Sequence, residues 1–209
     1  MFKGIIFDFD GVIVDTEPKK FKYLRNILRK YKYNLEKDSF LDLIGKKTSK
    51  FLAEKFPQIP EETIKIISKI IRKLRYVNIQ EYKLIPGIQE LLVFLKSKRY
   101  KIAVTTGSER NFIEKILKNH SILDYFDVIV SGEEFNSSKP DPECYQITIK
   151  KLNLLPSKII IVEDSVPGIK AAKTLGCNVF AIKTYLKRNS IFETDKVFKD
   201  HFDILKYLK

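Results

Sequence analysis

Short apolar stretches alternate with helical patterns in the part of the chain that follows residue 84. Each stretch has four to six residues and is rich in β-branched side chains, which is typical of strands covered on both faces. These predicted strands occupy 100–105, 127–130, 158–162 and 178–182. Because helical patterns separate them, the alternation predicts βαβ units and therefore a parallel sheet.

Residue types at the ends of the intervening helices suggest where each one begins and ends. Pro86-Gly87 opens the first, and Ser108 is expected to cap the second, which runs through residue 118. The third begins at 141–143, where a proline and two acids suit a first turn. The fourth begins at Pro167, and Gly176 is expected to end it.

A first strand at 3–7 is separated from the others by a long segment with helical periodicity. Apolar residues recur at helical spacing in two stretches of this segment, and two prolines interrupt it: Phe21, Leu24, Leu28, Tyr31; Ile64, Ile67, Ile70, Ile71, Leu74; Pro57, Pro60. The predicted fold class is α/β, with a Rossmann-like parallel sheet core and an inserted all-helical cap domain. The predicted core comprises 1–15 and 84–209, and the predicted cap 16–83; a short edge strand at 197–198 and a final helix are expected near the end.

Polar residues follow the carboxyl ends of four predicted strands. In open parallel sheets, ligands bind at this edge, so these residues form one candidate site. They are Asp8, Asp10, Thr106, Gly107, Lys139, Glu163 and Asp164.

The three aspartates are expected to converge, and they would repel one another without a cation. Oxygen ligands favour a hard ion, and Mg²⁺ suits a site with few carboxylates because it keeps several waters. The only two histidines, His120 and His201, are predicted to lie elsewhere, so zinc is not favoured. The sequence therefore predicts a magnesium site.

A carboxylate beside such a metal can attack phosphorus, and a second acid two residues later can transfer protons. Lys139 and the Thr106 hydroxyl, with backbone N–H groups at a helix start, can hold phosphate oxygens. Each feature alone has a commoner structural explanation, such as a turn, a helix start or a surface lysine. Their joint placement at four strand ends favours a phosphoryl-transfer site.

Four motifs resemble those of the haloacid dehalogenase-like hydrolases, in order along nearly the whole chain. They are Asp8-Phe9-Asp10-Gly11-Val12, Thr106, Ser138-Lys139-Pro140 and Glu163-Asp164-Ser165-x-x-Gly168-Ile169. The β-phosphoglucomutase-like and phosphoglycolate phosphatase-like members are most similar, because their helical cap also follows the first strand. Asp15-Thr16-Glu17-Pro18 resembles the start of that cap.

This resemblance implies a role for each candidate residue. Asp8 would be the nucleophile and a magnesium ligand, and Asp10 the acid/base, binding magnesium through its carbonyl. Thr106, Gly107 and Lys139 would bind phosphate, Asp164 would bind magnesium, and Glu163 would support the site from behind. The cap would close over the site and select the substrate.

Phosphate-ester hydrolysis of a small phosphorylated metabolite is the leading function within the family. Asp10 argues against dehalogenation, because a halide leaves without a proton whereas an alkoxide needs one. A β-phosphoglucomutase-type mutase is the alternative, but such mutases carry a histidine where this chain has Lys19-Lys20-Phe21. A phosphonate hydrolase, which needs a Schiff-base lysine such as Lys46 or Lys47, ranks third.

The uneven distribution of charge raises a hypothesis of another class. The net charge is +13, and residues 16–83 hold 18 Lys and Arg against 8 Asp and Glu, a net of +10. A nucleic-acid or regulatory binding protein could use this basic segment and its tyrosines. We consider nucleic acid an improbable partner, because the acidic sheet edge would repel a phosphate backbone and an intact acid set is hard to explain in a pure binder. Four basic residues could instead contact substrate or simply face solvent: Lys46, Lys47, Arg72 and Arg75.

The remaining composition limits compartment and cofactors. Cys144 and Cys177 are 33 residues apart and form no Cys-x-x-Cys pair, so buried free thiols are expected rather than zinc or disulfides. No apolar run approaches a membrane span, and Asp8 interrupts the N-terminal apolar stretch. The expected location is therefore the cytoplasm, without membrane contact; the sequence leaves the substrate and the oligomeric state open.

Overall fold

A computed structural model describes residues 2–185 and 194–209, which divide into two compact units. The first unit comprises Met1–Asp15 and Lys83–Lys209, and the second comprises Thr16–Tyr82. The predicted domain boundary at 83/84 lies one residue from this division. Within the described residues, no helix is both long and apolar enough to cross a membrane.

The first unit contains a six-stranded parallel sheet in the order β5-β4-β1-β6-β7-β8. Its strands are β1 (Gly4–Phe7), β4 (Lys101–Thr105), β5 (Val128–Val130), β6 (Ile159–Glu163), β7 (Asn178–Ile182) and β8 (Lys196–Phe198). The chain runs outward from β1 to β5 on one side and from β6 to β8 on the other. The strand order therefore reverses around β1, where open α/β sheets bind ligands.

Helices with apolar faces pack against this sheet. They are α5 (Ile88–Ser97), α6 (Arg110–Asn119), α7 (Glu143–Leu152), α8 (Val166–Thr174) and α9 (His201–Leu208). Residues Ile159 to Val162 of β6 have no exposed surface, as expected of a strand covered on both faces. The predicted α/β parallel fold is confirmed, including the short edge strand and the final helix.

Local boundaries differ from the sequence predictions at three places. Ser108 does not cap α6, whose N-cap is Glu109, because the Ser108 hydroxyl binds another side chain. Asp141 and Pro142 precede α7 instead of forming its first turn. A two-stranded antiparallel pair was not predicted: β2 (Val14–Asp15) and β3 (Lys83–Leu84).

The second unit is built from four helices within its described residues. They are α1 (Glu17–Lys30), α2 (Phe40–Leu43), α3 (Thr48–Lys55) and α4 (Glu61–Leu74). The helices and the segments between them share one apolar core: Leu24, Ile27, Leu28, Leu35, Leu43, Phe51, Leu52, Ile59, Ile64, Ile67 and Ile71. As predicted, the two prolines lie between helices, with Pro60 as the N-cap of α4.

A fully buried histidine ties α9 to the loop that follows β1. The Nε2 atom of His201 lies 2.7 Å from the Val12 carbonyl oxygen and donates to it, and the ring centroid lies 5.7 Å from that of Phe7. Nδ1 has no hydrogen-bond partner among the described residues. Burial lowers the pKa of His201 to about 4, although the hydrogen bond to the Val12 carbonyl and the charge of Asp200 raise it.

We expect this histidine to destabilise the fold in mild acid. Its pKa in the folded protein lies below the usual value of about 6.5, so the unfolded chain takes up the proton first as pH falls. Between pH 7 and pH 5 this linkage should remove about 2 kcal/mol from the free energy of unfolding. Urea unfolding of wild type and His201→Gln at both pH values measures the change in the free energy of unfolding. The other titrating groups are common to both proteins, so the difference between the two changes is the contribution of His201.

The matched control is His120→Gln, which removes the other histidine of the chain. His201→Gln should lose part of the wild-type pH dependence, and His120→Gln measures how far loss of the other histidine changes it. An equal change between pH 7 and pH 5 in wild type and His201→Gln would contradict the prediction.

Candidate active site

Asp8 stands where β1 ends, and an ion pair holds its side chain. Its backbone N–H donates to the Val162 carbonyl at 3.0 Å, which continues the ladder between β1 and β6. Lys139 lies in the loop after β5, and its Nζ donates to Asp8 Oδ1 at 2.5 Å. Two motifs that are 131 residues apart in sequence therefore meet at one sheet edge.

The Lys139 ammonium has two further acceptors. It donates to Glu163 Oε1 at 2.6 Å and to the Tyr145 hydroxyl at 2.9 Å. Only about 15% of the Lys139 side chain is exposed. The two carboxylates raise the pKa of Lys139 well above its usual value, although burial acts in the opposite direction. The ammonium therefore stays charged.

Glu163 ends β6 and is completely buried. Its Oε2 accepts from the backbone N–H groups of Asp164 and Ser165 and from the Ser165 hydroxyl. Gly168 in α8 leaves the required space, since a Cβ there would lie 1.8 Å from Glu163 Oε1. The carboxylate is thus fixed on both oxygens behind Lys139.

Burial raises the pKa of Asp8 to about 8, although the Lys139 ammonium lowers it. The charges of Glu163 and Asp10 raise it further. The ionised form needed for a nucleophile therefore depends on nearby positive charge, and a bound divalent cation would favour that form.

Asp10 is held by hydroxyl groups from the end of β4. Its Oδ2 accepts from Ser108 Oγ at 2.6 Å and from Thr106 Oγ1 at 3.2 Å. Thr106 Oγ1 also accepts from the Ser108 N–H at 3.1 Å. Gly107 between them is exposed, and its missing side chain would touch nothing within 4 Å. The predicted phosphate-binding segment therefore lies directly beside Asp10.

The predicted metal donors are the side chains of Asp8 and Asp164 and the backbone carbonyl of Asp10. Across residues 2–185 and 194–209, no group of three or more acidic, histidine or cysteine side chains could hold a metal ion. The Asp10 carboxylate accepts hydrogen bonds from Ser108 and Thr106, and its charge acts on Asp8, so the metal set of Asp8, Asp10 and Asp164 stays a prediction.

Two carboxylates and a backbone carbonyl remain as oxygen donors that fit magnesium. Asp8 and Asp164 follow neighbouring strands, and the Asp10 carbonyl lies on the loop between Asp8 and Gly11. At Gly11 the φ angle is +84°, and a Cβ there would lie 2.0 Å from Asp164 Oδ2. A side chain at position 11 would fill the space beside the Asp164 carboxylate, and the glycine leaves that space open. Such a small oxygen set suits an ion that keeps several waters.

The basic residues singled out in the second unit have different surroundings. Lys46 pairs with Glu54 at 2.6 Å, and both side chains are exposed. Lys47 is the N-cap of α3, whereas Arg72 lies in the last turn of α4 and Arg75 is its C-cap.

Two site residues were missed by the sequence prediction. Ser108 was expected to cap a helix but binds Asp10, and Tyr145 was not singled out at all. Tyr145 shares helical spacing with the buried Ile149 and Leu152, so the sequence pattern marks it only as a core residue.

Comparison with known proteins identifies the family to which this chain is related. The family model described as haloacid dehalogenase-like hydrolase matches residues 5–182. The chain is similar to a phosphorylated carbohydrates phosphatase of Thermotoga maritima, with 32% identity over 177 residues, 83% of this chain and 82% of that protein. It is 26% identical over 204 residues to a phosphoglycolate phosphatase of Nitrosospira multiformis, and the match covers 92% of this chain and 88% of that protein. The solved β-phosphoglucomutase of Clostridium difficile has the same fold, with a TM-score of 0.81, 23% identity, and coverage of 100% of this chain and 96% of that one.

Proposed function

The chain belongs to the haloacid dehalogenase-like hydrolases, and we propose that, as a phosphoric monoester hydrolase of this family, it hydrolyses a small phosphorylated metabolite through an aspartyl phosphate at Asp8. The observation that carries this proposal is the Lys139 ammonium, which joins Asp8 to the buried Glu163 at the strand-order reversal. Relatives that are named phosphatases of phosphorylated carbohydrates and of phosphoglycolate suggest the substrate class.

In this proposal the side chains around Asp8 divide the steps of the reaction among them. The Asp8 carboxylate attacks phosphorus while Lys139 and the Thr106 hydroxyl hold phosphoryl oxygens, with the Gly107 backbone beside them. Asp10 gives a proton to the leaving alkoxide and later takes one from the attacking water. The Ser108 hydroxyl holds the Asp10 carboxylate in place for both transfers, and the Thr106 hydroxyl, which donates to Asp10 in this structure, turns to the phosphoryl group when substrate binds.

Asp8, Asp164 and the Asp10 carbonyl would hold Mg²⁺. The ion supplies positive charge that offsets the phosphoryl oxygens and favours ionised Asp8. Glu163 stays behind Lys139 and does not reach the ion, because both of its oxygens already accept hydrogen bonds.

Two observations on the second unit support hydrolysis over the alternatives. Lys19 donates to the carbonyls of Val77 and Asn78, and Lys20 pairs with Glu17, so neither lysine replaces the missing mutase histidine. Three of the five tyrosines of this unit are used in packing: Tyr82 is buried, and Tyr23 and Tyr33 pack against the apolar core, whereas Tyr31 is exposed. This packing reduces the aromatic surface that could stack on nucleic-acid bases.

Phosphate release from a panel of phosphorylated sugars, phosphoglycolate and an aryl phosphate, measured with Mg²⁺, tests the proposed function. We expect hydrolysis of the aryl phosphate and a preference for one small metabolite. Conversion of a sugar phosphate to its isomer without phosphate release would favour the mutase. Salt-sensitive binding of nucleic acid with no hydrolysis would favour a binding protein.

We also expect activity to depend on the metal. Removing divalent ions with a chelator should lower kcat by at least about 100-fold, and excess Mg²⁺ should restore it. Asp164→Asn should raise the Mg²⁺ concentration needed for half-maximal activity by about tenfold or more. Circular dichroism of the chelated protein checks that the fold persists, and full activity after chelation would remove the metal from the mechanism.

A further inference from the structure

The hydroxyl of Tyr145 is a buried polar group that the proposed mechanism does not use. Tyr145 lies in the first turn of α7 and has no exposed surface. Its hydroxyl donates to Glu163 Oε1 at 2.6 Å and accepts from Lys139 Nζ at 2.9 Å. Burial and the charge of Glu163 raise the pKa of Tyr145 well above its usual value, so the phenol keeps its proton.

The hydrogen bonds around Lys139 account for every proton of its ammonium group. An ammonium has three N–H donors, and here they meet Asp8 Oδ1, Glu163 Oε1 and the Tyr145 hydroxyl. The Tyr145 proton goes to Glu163, whose second oxygen is held separately by the start of α8. Tyr145 thus fixes both the direction of the lysine and the carboxylate behind it.

Exposure along the network indicates which side faces the substrate. About 15% of the Lys139 side chain and 12% of the Asp8 side chain are exposed, whereas Tyr145 and Glu163 have no exposed surface. The phosphoryl group must therefore approach from the side of Asp8 and Lys139. Tyr145 lies on the buried side, where it can hold the ammonium without contacting substrate.

We propose that Tyr145 is a positioning residue, which acts through Lys139 and Glu163. It keeps two Lys139 N–H donors on the buried side, so that the third, which meets Asp8 in this structure, points to where the phosphoryl group is transferred. This inference rests on the proposed function, because it assigns Lys139 to the transferring phosphate. Without the hydroxyl, one N–H of Lys139 and one oxygen of Glu163 lose a partner on the buried side of the network, where Tyr145 and Glu163 have no exposed surface. The ammonium can then turn away from the geometry that phosphoryl transfer needs.

Tyr145→Phe removes only the hydroxyl oxygen. The phenyl ring keeps the apolar packing, and it keeps the ring beneath the ammonium, whose Nζ lies 4.7 Å from the ring centroid. We expect kcat to fall by about tenfold and KM to change by less than about threefold, the loss typical of one hydrogen bond to a charged group. The affinity for inorganic phosphate, measured by calorimetry with Mg²⁺, should fall as well.

The matched control is Tyr82→Phe in the second unit. Tyr82 is also buried, and its hydroxyl donates to the Arg75 carbonyl at 3.1 Å. This substitution should lower thermal stability but leave kcat and phosphate affinity unchanged. A purely structural role for Tyr145 predicts the same behaviour for Tyr145→Phe, so kcat and phosphate affinity within twofold of wild type would overturn the proposal. Tighter phosphate binding in Tyr145→Phe would also overturn it. Such a result would mean that Lys139 must break its hydrogen bond to Tyr145 before it can bind phosphate.

A double-mutant cycle with Glu163→Gln tests the route of the effect. If Tyr145 acts through the same network, the fold-loss in kcat of the double variant should be clearly smaller than the product of the fold-losses of the two single variants. Independent, multiplying losses would contradict positioning through Glu163.

The two proposals fail in different ways. A wild-type protein that binds phosphate but hydrolyses no ester would refute the proposed function, and the phosphate affinity of Tyr145→Phe would still decide the role of Tyr145. An active wild type with an unaffected Tyr145→Phe would refute only the inference. A wild type that neither hydrolyses esters nor binds phosphate would refute both.

Discussion

Replacing Asp8 with asparagine is expected to lower kcat by at least about 1,000-fold while the protein stays folded. The amide has the shape of the carboxylate but cannot form an acyl phosphate. Rate measurements with the aryl phosphate and with the preferred metabolite should show the same loss, because both need the same nucleophile. Activity close to wild type in Asp8→Asn would exclude covalent catalysis at this residue.

The surroundings of Asp8 explain why the fold should survive this change. Burial disfavours the charge on Asp8, so a neutral amide removes a desolvation penalty while it also loses part of the attraction to Lys139. Lys139 keeps Glu163 and Tyr145 as acceptors. We therefore expect a melting temperature within a few degrees of wild type. Asp124→Asn, the same change at an exposed position in the first unit, should leave both activity and stability unaltered.

Direct detection of the intermediate separates loss of the nucleophile from loss of substrate binding. Wild-type protein mixed with labelled phosphate ester and quenched in acid should retain label that hydroxylamine releases. Asp8→Asn should retain none, even when substrate binding is measurable by calorimetry. Label retained by the Asp8→Asn protein would place the covalent bond on another residue.

The backbone arrangement of the first unit could be predicted from sequence because each strand carries its own signal. The stretches at 100–105 and 158–162 are apolar and β-branched and are followed by helical periodicity, which fixes a parallel sheet. A parallel sheet aligns the carboxyl ends of its strands, so residues that follow different strands meet. The meeting of Asp8 with Lys139 follows from this rule, although 131 residues separate them.

The side-chain partners inside the site could not be predicted in the same way. Ser108 has the type and position of a helix cap, and only the course of the chain from β4 into α6 turns its hydroxyl toward Asp10. The Asp10 carboxylate accepts hydrogen bonds from this hydroxyl and from that of Thr106. Sequence spacing specifies which strand end carries a residue but not which of its oxygens faces a neighbour.

The sequence also could not predict which residues on the apolar face of a helix reach into the polar site. Tyr145 lies on the apolar face of α7, where a tyrosine and a phenylalanine satisfy the same helical pattern. Its hydroxyl matters only because β6 places Glu163 opposite it, and Gly168 leaves room for that carboxylate. Such a contact depends on the packing of three elements, so no single sequence motif predicts it.

Asp10→Asn is expected to slow turnover by about 100-fold to 10,000-fold, the usual range for losing a proton-transfer group. The substitution keeps the backbone carbonyl at this position, and the asparagine oxygen can still accept from the hydroxyls of Ser108 and Thr106. The change therefore removes proton transfer while largely preserving the local geometry, which makes its effect distinct from that of Asp8→Asn.

The two proton transfers of Asp10 should respond differently to the leaving group. An aryl phosphate releases a phenolate that needs little protonation, so Asp10→Asn should still form the aspartyl phosphate from it but hydrolyse the intermediate slowly. Rapid-quench experiments should then show a burst of aryl alcohol and accumulation of phosphorylated protein. An alkyl ester such as a sugar phosphate needs a proton on its leaving oxygen, so it should give neither a burst nor accumulation. Equal losses for aryl and alkyl esters without accumulated intermediate would contradict the assignment of Asp10 as the general acid and base.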